Sequence, residues 1–235
     1  MSNATRRSLL ASLGGVVLVL TGTAALAQNS QTATTLTQAD AGAGLREALR
    51  LASQTVTARL GRVDGFWGDA RVRIPLPNSL ASVQRSLRPI GLSGPLDDLE
   101  LRVNRGAERA MPAARRLLEN AVRSITLQDA LGILRGPNDA ATQYLRSRTE
   151  NELIASLRPS MESSLEGAGA FTSLNNALQR NGLAGSAQNL RSQLIDFAVS
   201  RALDAAFSLI ADEERAIRSD PVRRTTSLLR RVFGR

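Results

Sequence analysis

The chain has 235 residues and an apolar content of 43%, enough for one domain with a real core and too apolar for a disordered chain. It has no Cys and no His, which removes thiol nucleophiles, disulfides, Ser-His-Asp triads, Cys/His zinc sites and haem axial histidine. The formal charge is +9, every basic residue is Arg, and the arginines are spread along the whole chain. That spread reads as coding composition, the alternative being a need for planar, bidentate anion contacts.

Aromatics are only 3%, so Leu, Ala, Val and Ile must build the interior, and Ala and Leu favour helix. The acidic residues do not cluster at the spacing of an oxygen-ligand calcium or magnesium site. No cofactor is expected.

Residues 1–27 read as an address. Arg6 and Arg7 form a positive start, Leu9 to Leu20 an apolar run too short to span a bilayer, and Ala25-Leu26-Ala27 a small-x-small cleavage site. Thr5-Arg6-Arg7-Ser8-Leu9-Leu10 also resembles a twin-arginine signal, without its usual Phe and Lys. The expected location is periplasmic or secreted after cleavage, with residues 28–37 a loose, Thr-rich N-terminus.

From Gln38 a helical period begins, with Leu45, Leu49, Ala52, Val56 and Leu60 on one face and Gly61 as the stop. The segment GFWGDARVRIPLP (65–77) breaks the pattern and carries the only Trp. Val72, Ile74 and Leu76 alternate with Arg71, Arg73 and Pro75, as in a half-buried strand. Pro75 and Pro77 withhold donors, so the segment reads as an extended strap (71–77) over the helices. Phe66 and Trp67 are expected to plug its start, and Arg71 and Arg73 to face water.

Asn78 is placed as the cap of a short helix carrying Leu80, Val83 and Leu87 up to Gly91. Pro95 opens the next, with Leu96, Leu99, Val103 and Ala107 inward. Pro112 is expected to break or kink it, and the continuation to bury Leu117, Ala121 and Ile125. Thr126 and Asp129 make a capping-box pattern for a helix ending at Gly136. Pro137-Asn138 start another, carrying Ala141, Tyr144 and Leu145.

Thr149 with Glu152 suggests a fresh helix start, and Pro159 a second kink or break. EGAGA (166–170) reads as a linker, and Phe171, Leu174 and Leu178 as a helix ending near Gly182. The longest helix is expected from about Ser186 to Ser219, buried through Leu190, Leu194, Phe197, Ala202, Ala205 and Leu209. Asp220-Pro221 ends it, and an amphipathic piece with Leu228, Leu229, Val232 and Phe233 follows. The sum is an all-α, single compact bundle of roughly eight to ten helices over residues 38–235, without repeats.

Five motifs stand in order: QADAGAGLREAL (38–49), LGRVDGFWGDARVRIPLP (60–77), VNRGAERAMPAA (103–114), LQDALGILRGPNDAATQYLRSRTE (127–150) and ADEERAIRSDP (211–221). Together they resemble the bacterial "domain of unknown function" family numbered 4197. The resemblance implies an exported, helical protein and carries no activity. It also implies an aromatic where Leu145 stands and Ala where Gly106 stands; if those positions line a site, the site is altered here.

Four clusters are candidates for function. Asn104, Arg105 and Glu108 share one helical neighbourhood and either bind a ligand or hold neighbouring helices in register. Asp139, Thr142, Tyr144 and Arg148 lie near a helix start, where free N–H groups and an Arg can take an anion unless Asp139 occupies that positive end. Asp212, Glu213 and Glu214 are a candidate acid–base set, against an ion pair of Glu214 with Arg218. Phe66, Trp67, Arg71 and Arg73 either line an aromatic pocket or anchor the strap.

Arg215, Arg218, Arg223, Arg224, Arg230, Arg231 and Arg235 face one acid, Asp220, in the tail. Residues 215–235 therefore either touch an anionic membrane surface weakly or form a docked helix with a solvated basic face. Nucleic acid is not expected, because stacking aromatics are missing. The reading is an exported, non-enzymatic binding or envelope-associated module with a protein or small-molecule partner. The alternatives are a periplasmic carrier of an apolar or anionic small molecule, and a carboxylate-dependent hydrolase.

Overall fold

The computed structural model describes residues 37–180 and 187–234, so the expected signal segment and residues 28–36 lie outside the described residues. Among the described residues eight α-helices follow one another: α1 (Gln38–Leu60), α2 (Asn78–Leu87), α3 (Gly94–Arg123), α4 (Leu127–Leu134), α5 (Ala140–Gly167), α6 (Ala170–Arg180), α7 (Ala187–Ser219) and α8 (Ser227–Phe233). Among the described residues there is no strand, and the fold is an all-α bundle.

Helix α3 packs along α5, α1 and α6; α7 lies against α5 and α1; α4 and α8 close over α1. Leu45, Leu49, Ala52, Val56 and Leu60 of α1 all join one continuous core with the apolar faces of α3, α5, α6 and α7. Because α7 has neighbours on several sides, it is apolar over most of its circumference: Leu194, Ile195, Ala198, Val199, Ala202, Leu203, Ala206, Phe207 and Ile210 are all buried.

Capping boxes open two helices. Thr126 and Asp129 satisfy each other's main chain at α4, and Thr37 and Asp40 do the same at α1. Thr37, expected in the loose N-terminus, is thus an ordered cap. Asn78 does not cap α2; it is the first helical residue, and Pro77 precedes it without a side-chain cap.

The two interior prolines break neither helix. Pro112 lies inside the 30-residue α3 and Pro159 inside the 28-residue α5. Both rings are exposed, while Met111 and Ala114, and Leu157 and Met161, are buried on either side. A proline on the solvent face costs one hydrogen bond, and packing on the other face holds the helix through it. An unbroken α3 carries its phase onward, so Leu118 and Val122 fill the core and Leu117 and Ala121 are half-buried.

Thr149 starts no helix. It sits mid-α5 and donates its hydroxyl to the Leu145 carbonyl at 2.6 Å. The 166–170 linker shrinks to a turn through Gly169, whose φ of 76° is the left-handed region that glycine adopts at low cost.

The strap keeps the expected alternation but starts later: Arg71 and Val72 lie in a turn closed on the Asp69 carbonyl, and the extended part is 73–77. Val72, Ile74 and Leu76 are buried, at 6%, 1% and 2% exposure, while Arg71, Arg73 and Pro75 face out. Of the two positions where the resemblance implies other residues, Gly106 belongs to packing, while Leu145 both packs and lines a cleft beside α5. A Cβ at Gly106 would stand 2.6 Å from Leu165 Cδ2, so glycine lets α3 and α5 approach closely. Leu145 is 1% exposed.

Candidate functional site

The strap is held by a polar clamp on α3. Asn104 is fully buried: its Oδ1 accepts from the Ile74 N–H at 2.9 Å, and its Nδ2 donates to the Ile74 carbonyl at 2.8 Å. One side chain thus pairs both main-chain groups of an extended residue that has no neighbouring strand. One turn on, buried Glu108 accepts from the N–H groups of Phe66 (3.2 Å) and Trp67 (3.4 Å). Arg105 donates to Glu108 at 2.8 Å and to Asp64 at 2.7 Å, neutralising the buried carboxylate. The cluster holds the strap: Asn104 and Glu108 turn their polar atoms to the protein's own main chain, and Arg105 ties Glu108 to Asp64.

Phe66 and Trp67 part company. Phe66 is fully buried and is the plug. Trp67 is half-buried, and Arg73 folds back over its indole at 4.3 Å while donating twice to the Trp67 carbonyl, at 2.6 and 2.9 Å. Arg73 is exposed, yet it is not free in water. Arg71 pairs with Asp69 at 3.1 Å, and Asp69 also takes Arg59 at 2.7 Å.

The start of α5 does take an anion, but the anion is the protein's own. Glu214, from α7, accepts from the N–H groups of Ala141 (3.1 Å) and Thr142 (2.8 Å) and from the Thr142 hydroxyl (2.7 Å). Arg218 closes the arrangement at 2.8 Å, and both side chains are buried, at 2% and 9% exposure. A carboxylate at a helix N-terminus satisfies otherwise unpaired donors and meets the positive end of the helix dipole. Asp139, placed by sequence at that end, makes no capping bond and pairs with Arg215 at 3.1 Å instead. The three consecutive acids point apart, for Asp212 meets Arg215 and Glu213 meets Arg223.

Tyr144 and Arg148 stand elsewhere, on the face of α5 that looks toward the end of α3 and the start of α4. Two clefts of about 280 and 380 Å³ run together there, sharing Ala121, Ser124, Arg148 and Thr149. Leu117, Leu145 and Leu153 supply apolar lining. Arg148 is exposed and lies over the Tyr144 ring at 5.4 Å.

The Tyr144 hydroxyl faces Asp129. Burial, then this carboxylate, raises the Tyr144 pKa, and the Arg148 charge works against the rise. Asp129 is held below the usual carboxylate range, chiefly by the Thr126 hydroxyl and then by Tyr144. Asn120, Ser124, Thr126, Asp129, Thr149 and Glu152 complete the polar lining. None of these six was a candidate in the sequence, where nothing local ties 120–129 to 144–152. Thr142 stays behind in the Glu214 arrangement.

The tail is docked. Leu229 is fully buried and Val232 is 9% exposed, with Val232 seated on Gly44 of α1, where a Cβ would come within 2.5 Å of its Cγ2. Arg224 and Arg230 bond to main-chain carbonyls, and Arg231 pairs with Asp40 at 3.3 Å.

Among the described residues no helix is long and apolar enough to cross a membrane, and no group of three His, Cys, Asp or Glu is placed to hold a metal. What fold and groove define is an all-α bundle with a strapped core and an open, arginine-bearing groove. The chain belongs to the family described as protein of unknown function (DUF4197), whose model matches residues 35–234. No curated protein and no solved structure matches it.

Proposed function

We propose that the protein is an exported, non-enzymatic binding module that takes a small anionic molecule with an apolar body in the Tyr144–Arg148 groove. One observation carries the reading. Of the polar clusters marked by the sequence, the clamp and the Glu214 arrangement spend their hydrogen bonds on the protein itself, whereas Arg148 is exposed in a groove of mixed polar and apolar lining. A mixed lining, with Leu117, Leu145 and Leu153 beside convergent polar groups, suits a ligand that has an apolar body and a polar head, and a guanidinium suits carboxylate or phosphate. Asp129 and Glu152 frame the groove and select against a ligand with several negative charges.

The export half rests on residues 1–27 and is tested by N-terminal sequencing. The exported form is expected to begin at Gln28, and a chain still starting at Met1 overturns it. The binding half is tested by native mass spectrometry of protein taken from the exported fraction. A bound small molecule is expected in the parent chain and absent from Arg148→Ala, with melting temperatures alike. A bound mass that survives both Arg148→Ala and Tyr144→Ala removes the groove as the site.

A further inference from the structure

One wall of the groove is a row of polar side chains along α5. Tyr144, Arg148 and Glu152 follow one another at four-residue intervals, so they share one helix face. Arg148 lines both clefts, Tyr144 one and Glu152 the other.

Arg148 and Glu152 have the spacing of a helical ion pair and do not form one. Two residues earlier on the same helix, Arg146 and Glu150 have the same order and spacing and meet at 2.7 Å. Arg148 instead leans back over the Tyr144 ring. Among the described residues Glu152 makes no hydrogen bond and no ion pair. Of the other acids on α5, Glu150 and Glu162 meet arginines, and Glu166, in the last turn, lies outside the groove.

Asp129 is the third charged residue of the lining, and it is already engaged. Its Oδ2 accepts from both the N–H and the hydroxyl of Thr126, and the carboxylate faces the Tyr144 hydroxyl. Glu152 is therefore the open carboxylate and Arg148 the open guanidinium, both exposed and held apart on one wall. Two such charges fit a ligand that brings an ammonium as well as an acid group.

Spacing says how far apart those groups stand. Four residues of α-helix rise about 6 Å. Both side chains lean toward the helix N-terminus, so the offset carries outward to the charged ends. One extended residue spans at most about 3.6 Å, and two about 7 Å. The offset thus matches the two ends of a dipeptide and exceeds the reach of a single amino acid. Leu117 and Leu153 beside Glu152, and Leu145 beside Tyr144, offer apolar surface to its side chains.

We infer that the ligand of this groove is a short apolar peptide with free ends, its carboxylate on Arg148 and its ammonium on Glu152. The inference rests on the groove reading and narrows it, since the acid group taken by Arg148 becomes one end of a zwitterion.

The test is a calorimetric titration of the exported protein with three probes. Leucyl-leucine carries both charges, N-acetyl-leucyl-leucine only the carboxylate, and leucyl-leucinamide only the ammonium. Leucyl-leucine is expected to bind tightest, and the acetylated probe about five-fold more weakly, the loss of one exposed ion pair. Glu152→Gln brings leucyl-leucine down to the level of the acetylated probe at an unchanged melting temperature. Arg148→Ala removes binding of both carboxylate-bearing probes.

Three outcomes overturn the peptide assignment and leave Arg148-dependent anion binding standing: equal binding of the free and acetylated probes, binding of none of the three, or a preference for the free probe that survives Glu152→Gln. A lower melting temperature in Glu152→Gln gives that residue a structural role and overturns it as well. Binding of leucyl-leucine that withstands both Arg148→Ala and Tyr144→Ala overturns the groove reading, and this inference with it.

Discussion

The clamp under the strap and the groove beside Tyr144 are built from the same materials: a long helix, an arginine, a carboxylate and an amide or hydroxyl. In the clamp, buried Asn104 and Glu108 meet the main chain of Ile74, Phe66 and Trp67 at hydrogen-bonding distance. In the groove, Arg148 is exposed and its guanidinium carbon lies 5.4 Å from the Tyr144 ring centroid. A buried polar group must be satisfied at once by the fold, whereas an exposed one can wait for a ligand. Polar residue types at helical spacing therefore do not distinguish a structural site from a binding site; the presence of an unpaired extended segment beside them does.

The sharpest way to break this contrast is at the strap. Ile74→Asp buries a charge between α3 and the strap and is expected to cost several kcal/mol, enough to unfold the domain. A cooperative melt near the parent temperature would mean that the strap is not part of the core. Glu214→Ala leaves Arg218 uncompensated and three donors of α5 unpaired, at about 3–5 kcal/mol. Asn104→Ala strands the N–H and carbonyl of Ile74 and is expected to cost about 2–4 kcal/mol in a denaturant titration.

Trp67→Ala and Arg73→Ala probe the strap's outer side. Arg73 gives up two bonds to a carbonyl and a stacked ring, so its loss is expected near 1 kcal/mol, more than for an ordinary surface arginine. Arg148→Ala is expected to change stability by less than about 0.5 kcal/mol while removing groove binding. If it destabilises as much as Asn104→Ala, the groove is structural and the comparison collapses.

Acidification sharpens the picture further. Asp40 and Asp129 are held below the usual carboxylate range, each mainly by the hydroxyl of its capping threonine. A depressed folded-state pKa contributes stability above the unfolded value and loses it as pH falls through the folded one. Melting temperature is therefore expected to decline from the ordinary carboxylate range downward, and Asp129→Asn to shrink that decline by a small margin. A melting temperature independent of pH through that range would contradict the caps.

The amino-acid sequence by itself determined what depends on neighbours a few residues away. The faces of α1 and α6, the Thr126–Asp129 box, the Glu214–Arg218 pair and the in–out alternation of the strap were all legible, because 3.6- and 2-residue periods and capping bonds are local. The Thr37–Asp40 box carried the same local signal and was missed because Thr37 was assigned to the loose N-terminus, although the helix start at Gln38 was placed correctly.

Only the tertiary structure decided the rest. Pro112 and Pro159 sit inside unbroken helices because packing on the opposite face outweighs one lost hydrogen bond, which shifts the buried residues to Leu118 and Val122. Asn104 bonds to a residue 30 positions away, Glu108 to one 42 away, and Glu214 to one 72 away. Which of many distant main-chain groups a polar side chain will meet is set by where the whole core closes, and no local period encodes it.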